Sequence, residues 1–160
     1  MMTQLAEENA GAARNGRVIT LQLGSGCSAA AFLAGRAIDT SMGFSPLEGL
    51  MMGTRPGDLD PGLLLFLLDQ GALDLKELVS LLHERSGLLG VSDRSADIRD
   101  LLEANDEASR LAVEMFCYRV RKYIGSYAAV LQGLDAVVFG GGIGENSAEI
   151  RHRVLNALQF

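Results

Sequence analysis

The run Val18-Ile19-Thr20-Leu21-Gln22-Leu23 is short, rich in β-branched residues and closed by Gly24-Ser25-Gly26, the pattern of a strand feeding a glycine turn. A second apolar run, Ser28 to Leu33, follows at once, and Ala34-Gly35-Arg36 can turn it into a third at Ala37-Ile38. Three close strands with no helix between them predict an antiparallel start to a sheet. Far downstream, Ala136-Val137-Val138-Phe139 reads as a short buried strand. It runs into Gly140-Gly141-Gly142-Ile143-Gly144-Glu145-Asn146 and then a helix from about Ser147, with Ile150, Val154 and Leu158 on one face. The segments between are helical, so the class is α/β: a mixed sheet with flanking helices.

Asp74 with Glu77 has capping-box spacing, and Leu75, Leu78, Val79, Leu81 and Leu82 continue it as an apolar stripe until Gly87. Residues 105–133 predict a long helix with Leu111, Met115, Val120, Ile124, Tyr127 and Leu131 near period 3.6. Its Gly125-Ser126 pair is expected to allow close packing against a neighbour. Residues 39–62 hold all three prolines, Pro46, Pro56 and Pro61, among many glycines, and a loop of that length inside a domain is usually functional. Residues 1–16 are expected to be a helix tail or a disordered segment ahead of a domain at 17–160, with Asn15-Gly16 as the stop.

A chain of 160 residues is the size of one domain, and a 48% hydrophobic content is enough to build a core and to exclude global disorder. The net charge of −6 and the lack of Lys/Arg runs argue against a nucleic-acid partner. Small anions are not excluded, because backbone N–H groups and one or two arginines outweigh net charge at close range. Cys27 and Cys117, alone and far apart, are poor material for a disulfide framework or a zinc site, and they favour a reducing, cytoplasmic setting. The first sixteen residues lack a signal-peptide apolar region, and Leu63 to Leu68 is too short to span a bilayer, so a soluble protein with no membrane partner is expected.

Several segments could carry chemistry. Gly140 to Asn146 follows a strand and opens a helix, where loop amides and the positive helix end can hold an anion; the alternative is a tight strand-to-helix turn without a ligand. No Walker A sequence occurs, and Glu145 stands where a dinucleotide fingerprint needs its third glycine. Arg55, in a glycine-rich loop, can reach a phosphate or carboxylate, or simply pair with Asp58 or Asp60. Asp97-Ile98-Arg99-Asp100 can cap a helix start or touch a ligand. His83 and His152 lack metal spacing and are expected at the surface; the two cysteines are expected to be inert packing residues.

Taken together, Leu23-Gly24-Ser25-Gly26, the stretch from Asp39-Thr40-Ser41-Met42-Gly43-Phe44 through Pro46-Leu47-Glu48-Gly49 to Gly53-Thr54-Arg55, Gly57-Asp58-Leu59-Asp60-Pro61, and Phe139 to Ser147 closely resemble the acetate kinase family, from about Val18 to the last residue. The resemblance implies a ribonuclease H-like domain of the actin-like ATPase superfamily, here an incomplete C-terminal half. It implies that Gln22, Leu23, Gly24, Ser25 and Gly26 form a phosphate loop. Asp97, Ile98, Arg99, Gly142, Ile143, Gly144, Glu145 and Asn146 would line the adenosine pocket, and Arg55 would stabilise the transferring phosphoryl group. The implied activity is acetate or propionate plus ATP giving acyl phosphate plus ADP, with Mg²⁺ accompanying the nucleotide and a homodimer formed through the C-terminal half.

The chain departs from the family pattern in places. The family usually has His-Leu-Gly-Asn-Gly where Gln22 to Gly26 stands, and Thr at Gly140. The family's first phosphate loop, acyl-binding arginine, catalytic aspartate, active-site histidine and magnesium-associated glutamate have no counterpart in the sequence, and Arg55 alone of the named catalytic side chains does. The resemblance therefore covers less than half of such an enzyme. A non-catalytic nucleotide-binding or dimerising module, or the remnant of a truncated gene, stays open beside the kinase.

Overall fold

In the computed structural model, which describes residues 1–158, the apolar runs at 17–40 form the predicted meander: β1 (Arg17–Leu23), β2 (Cys27–Leu33) and β3 (Arg36–Thr40). β1 pairs antiparallel with β2 from Arg17↔Leu33 to Leu23↔Cys27, and β2 pairs antiparallel with β3 across an irregularity at Ala31/Phe32. The strand at the far end of the chain, β4 (Ala136–Gly140), joins β1 in parallel, giving the order β3-β2-β1-β4. β1 and β2 have neighbours on both edges, and Val18, Ile19, Leu21 and Leu23 of β1 are fully buried. Arg17 clamps the start of the β1–β4 pair. Its N–H and guanidinium donate to both carboxylate oxygens of Asp135, just before β4, at 2.6–3.0 Å.

Two short helices, α1 (Met2–Glu8) and α2 (Ala10–Asn15), precede the sheet. Between β3 and β4 come α3 (Pro61–Asp69), α4 (Leu75–Glu84), α5 (Gly87–Ser92), α6 (Ile98–Glu103) and α7 (Glu107–Val130). After β4 come α8 (Gly141–Asn146) and α9 (Ala148–Leu155). The α4 capping box forms in both directions, Glu77 N–H to Asp74 and Asp74 N–H to Glu77, each at 2.8 Å. α7 is the core helix. Ala112, Val113, Phe116, Cys117, Val120, Ile124 and Tyr127 are buried, in one cluster with β1, β2, the Leu50-Met51-Met52 run and Ile150 and Val154 of α9.

Some expectations need correction. Leu111 and Met115 were expected in the α7 stripe but are exposed, because the buried face is set by Val113, Phe116 and Val120, about 100° per residue away around the helix. On α4 only Leu78 is buried, while Leu75 and Val79 face outward, since nothing packs over that side. Gly125 makes no close approach: a Cβ there would meet nothing within 4 Å. The Gly140 to Asn146 stretch is not only a turn, because residues 141–146 are themselves helical.

Candidate functional site

β1 ends at Leu23, and its turn is tied back by a hydrogen bond from Gly24 N–H to Gly26 O at 3.1 Å. Because β4 runs parallel beside β1, with Gln22 opposite Gly140, the glycines that follow β4 emerge next to this turn. Gly141 has φ +79, and a Cβ on it would stand 2.4 Å from Leu23 O, so glycine lets the two strand ends meet. A Cβ on Gly24 would lie 3.9 Å from Gly142 N, which puts the turn and α8 in contact.

The long loop at 41–60 delivers Arg55 to the other side of the same turn. Gly53 N–H donates to Ser25 O at 3.2 Å, while Leu88 and Leu89 N–H at the start of α5 donate to Met52 O and Gly53 O at 2.9 Å. Arg55 is half-buried. Its Nη1 donates to Pro46 O at 2.8 Å, and its Nη2 would stand 3.0 Å from a Cβ on Gly26. Neither Asp58 nor Asp60 pairs with it. The Asp58 carboxylate accepts from Gly49 N–H and Tyr123 Oη, each at 2.8 Å, with the Arg119 guanidinium 3.6 Å away, and Asp60 caps α3. Burial and the Asp58 contact push the Tyr123 hydroxyl well above its ordinary range, so it stays a donor that fastens the loop to α7.

The third wall is the start of α6. Asp97 accepts from Arg99 N–H at 2.9 Å, so it caps the helix, and it also holds the Arg99 guanidinium through Nε at 3.0 Å. Those bonds from Arg99 lower its carboxyl to about 2, so it is ionised at neutral pH. The two readings of Asp97-Ile98-Arg99 therefore coexist, a helix cap that is also a wall. The three segments enclose a cleft of about 610 Å³ lined by Gly24 and Ser25, Ala96 to Arg99, and Gly142, Ile143, Asn146 and Ser147. That size suits a small-molecule ligand.

Of the residues singled out from sequence, Gly24, Ser25, Asp97, Ile98, Arg99, Gly142, Ile143 and Asn146 line this cleft. Leu23 is a fully buried core residue beneath it, and Gly144 packs on Phe139 and Leu23. Glu145 turns back on Gly141 N–H at 3.2 Å, and Gln22 reaches over Gly141. Sequence reasoning did not assign Ala96, which precedes the Asp97 motif, or Ser147, the last residue of the Phe139 to Ser147 motif, to the site. It also missed Arg151, whose Nη1 donates to Gly144 O and Glu145 O and fixes the end of α8. A larger depression of about 700 Å³ lies between α7 and α9, with Cys117 in its lining. Burial raises both thiols to about 11, so neither Cys27 nor Cys117 is a thiolate nucleophile at neutral pH.

The family model of the acetokinase family matches residues 2–160. The chain belongs to the acetokinase family. Among curated relatives, the acetate kinase of Caldicellulosiruptor bescii is 49% identical over 147 residues, 90% of this chain and 37% of that protein. Among solved structures, Porphyromonas gingivalis acetate kinase superposes with TM-score 0.95 at 41% identity, over 99% of this chain and 41% of its own. A propionate kinase from Francisella tularensis gives 0.90 at 39% identity, over 98% and 41%. The mixed sheet and its helices are thus the actin-like ATPase fold of these kinases, and the chain spans about 37% of the curated relative's length. Family likeness starts at residue 2, well before the expected Val18, so α1 and α2 lie within the matched region.

Proposed function

We propose that this acetokinase-family chain is the nucleotide-binding part of an ATP:acyl phosphotransferase that converts acetate or propionate and ATP to acyl phosphate and ADP in the cytoplasm. The observation that carries it is the cleft, where three segments distant in sequence meet beside Arg55. Phosphoryl transfer asks mainly for positioning and charge neutralisation. In this reading the Gln22–Gly26 turn holds the phosphates, and the start of α6 with Gly142 to Asn146 holds the adenosine, Ile98 and Ile143 supplying apolar surface. Arg55 leaves Pro46 O to meet the charge that develops on the transferring phosphoryl oxygens. Among the described residues no three His, Cys, Asp or Glu side chains cluster as a metal cage, so Mg²⁺ would enter with the nucleotide and be held mainly through its phosphates.

A second reading is nucleotide binding or dimerisation without transfer, and the homodimer belongs to both. Calorimetric titration with MgATP tests the shared part: saturable binding is expected, weakened by Asp97→Ala. A folded chain that gives no heat and no change in melting temperature would overturn it. Trapping acyl phosphate with hydroxylamine separates the readings: turnover supports the transferase, and saturable MgATP binding without turnover supports the second.

A further inference from the structure

Helix α8 forms one wall of the cleft, yet six residues do not make a stable helix by themselves. Its first N–H, on Gly141, is taken by the Glu145 carboxylate at 3.2 Å, and the Asn146 amide donates to Gly142 O at 3.0 Å. The carbonyls of Gly144 and Glu145 fall in the last turn, where a helix offers no N–H partner of its own. Arg151, in α9, supplies the donor: its Nη1 reaches Gly144 O at 2.9 Å and Glu145 O at 2.8 Å. Among the described residues no carboxylate lies within 4 Å of this guanidinium, so its charge is directed at the two carbonyls. The base of the side chain is firm. Ile150 and Val154 of α9 are fully buried, and Ser147 Oγ accepts from Ile150 N–H at 3.3 Å.

We propose that Arg151 is a positioning residue for nucleotide binding, holding α8 from behind so that Ile143 and Asn146 present a fixed wall to the nucleoside. Gly142, Ile143, Asn146 and Ser147 line the cleft and Arg151 does not, so it acts through the helix and not on the ligand. Its cation also complements the negative end of the helix. On the strand side α8 rests on a glycine: a Cβ on Gly144 would stand 3.5 Å from Phe139 and 3.7 Å from Leu23, and no side chain at that position pins the helix. The phosphate side of the cleft does not depend on Arg151. The turn after β1 is held by Gly24 N–H to Gly26 O and by Gly53 N–H to Ser25 O, on the far side from α9. Loss of Arg151 should therefore be felt by the nucleoside and not by the phosphates. The inference rests on the nucleotide reading of the cleft and adds the residue that shapes its nucleoside side.

Calorimetric titration of the full chain with MgATP and with magnesium tripolyphosphate tests it. The wild type is compared with Arg151→Met and with Arg153→Met, the latter an arginine of α9 that pairs with Glu149 instead. Arg151→Met should weaken MgATP binding at least about tenfold, the scale of losing a hydrogen bond to a charged group, and leave tripolyphosphate affinity unchanged. Arg153→Met should leave both unchanged. Arg151→Gln carries the test if Arg151→Met fails to fold. An unchanged MgATP affinity, or equal weakening of both ligands, overturns the inference. If tripolyphosphate binds too weakly to titrate, amide hydrogen exchange of the variant decides. Faster exchange confined to residues 141–147 supports the inference, and exchange that is unaltered or faster in β1 and α7 as well overturns it. A folded wild type that binds no MgATP overturns the nucleotide reading, and this inference with it.

Discussion

Gly87→Ala puts a methyl group where the backbone leaves no room. Gly87 has φ +63, and a Cβ there would stand 2.2 Å from Met52 O, 2.7 Å from Arg55 O and 2.9 Å from Arg55 N. All three are backbone atoms, so no side-chain rotation relieves the contact. The 52–55 turn is itself held by Met52 N–H to Arg55 O, Gly53 N–H to Ser25 O and Leu88 N–H to Met52 O. Two penalties follow: about 1–2 kcal/mol for a left-handed L-residue and about 1–3 kcal/mol for overpacking. Gly71→Ala is the control, since Gly71 has φ +62 with nothing within 4 Å and incurs only the first. Urea denaturation of both variants, read with unchanged m-values, should show Gly87→Ala less stable than Gly71→Ala by about 1–3 kcal/mol, the overpacking share. In melting temperature each kcal/mol is worth about 2–4 °C for a chain of this size. Equal losses in the two variants would refute the reasoning, because they would mean the turn that carries Arg55 yields freely to α5.

Gly125→Ala, in mid-α7 with open space around it, should stabilise the chain by about 0.5–1 kcal/mol through helix propensity, and a loss of stability would reveal a close neighbour. Asp135 is held at about 2, below its ordinary 3.8, first by its hydrogen bond to Arg17. Its folded value is depressed, so its contribution is fully present above 3.8 and lost as pH falls through about 2. Acid titration of stability should therefore be steeper in the wild type than in Asp135→Asn across that window, and parallel curves would count against the clamp. Ellman's reagent at mildly alkaline pH should label Cys27 and Cys117 only on unfolding, since both thiols are buried and raised to about 11; prompt native labelling would contradict that burial.

The sheet could be read from sequence because β-branched runs and glycine turns are local signals, and so could the α4 cap, which needs only Asp74 and Glu77. The orientation of α7 could not. That helix has two apolar faces, one set by Val113, Phe116 and Val120 against the sheet and one by Leu111 and Met115 on the α7–α9 groove. Periodicity reports that apolar residues recur, without saying which set finds a partner. Helices α5 and α6 are six residues each, too short for a periodic signal, yet Leu88 and Leu89 of α5 hold the Arg55 turn. For the site, motifs named most of the cleft lining, while Ala96 and Ser147 line it through the path of the chain rather than through their side-chain chemistry.

Gln22 and Gly140, two positions where the chain departs from the family pattern, are register partners on β1 and β4. A Cβ on Gly140 would stand 2.9 Å from Met1 Sδ and 3.1 Å from Met1 Cγ, so the threonine usual there would compete with the methionine side chain ahead of α1. Gln22 reaches across to Gly141, where a Cβ would lie 2.6 Å from its Nε2. The Gln22 amide thus lies over the turn that follows β4. The third departure, Ser25, lines the cleft itself beside Gly24, in the turn beyond the end of β1. The walls formed by Asp97 to Arg99 and by Ile143 and Asn146 are untouched by this exchange. Any change in phosphate handling should therefore trace to the strand ends and Ser25, and the adenosine side of the cleft should keep its shape.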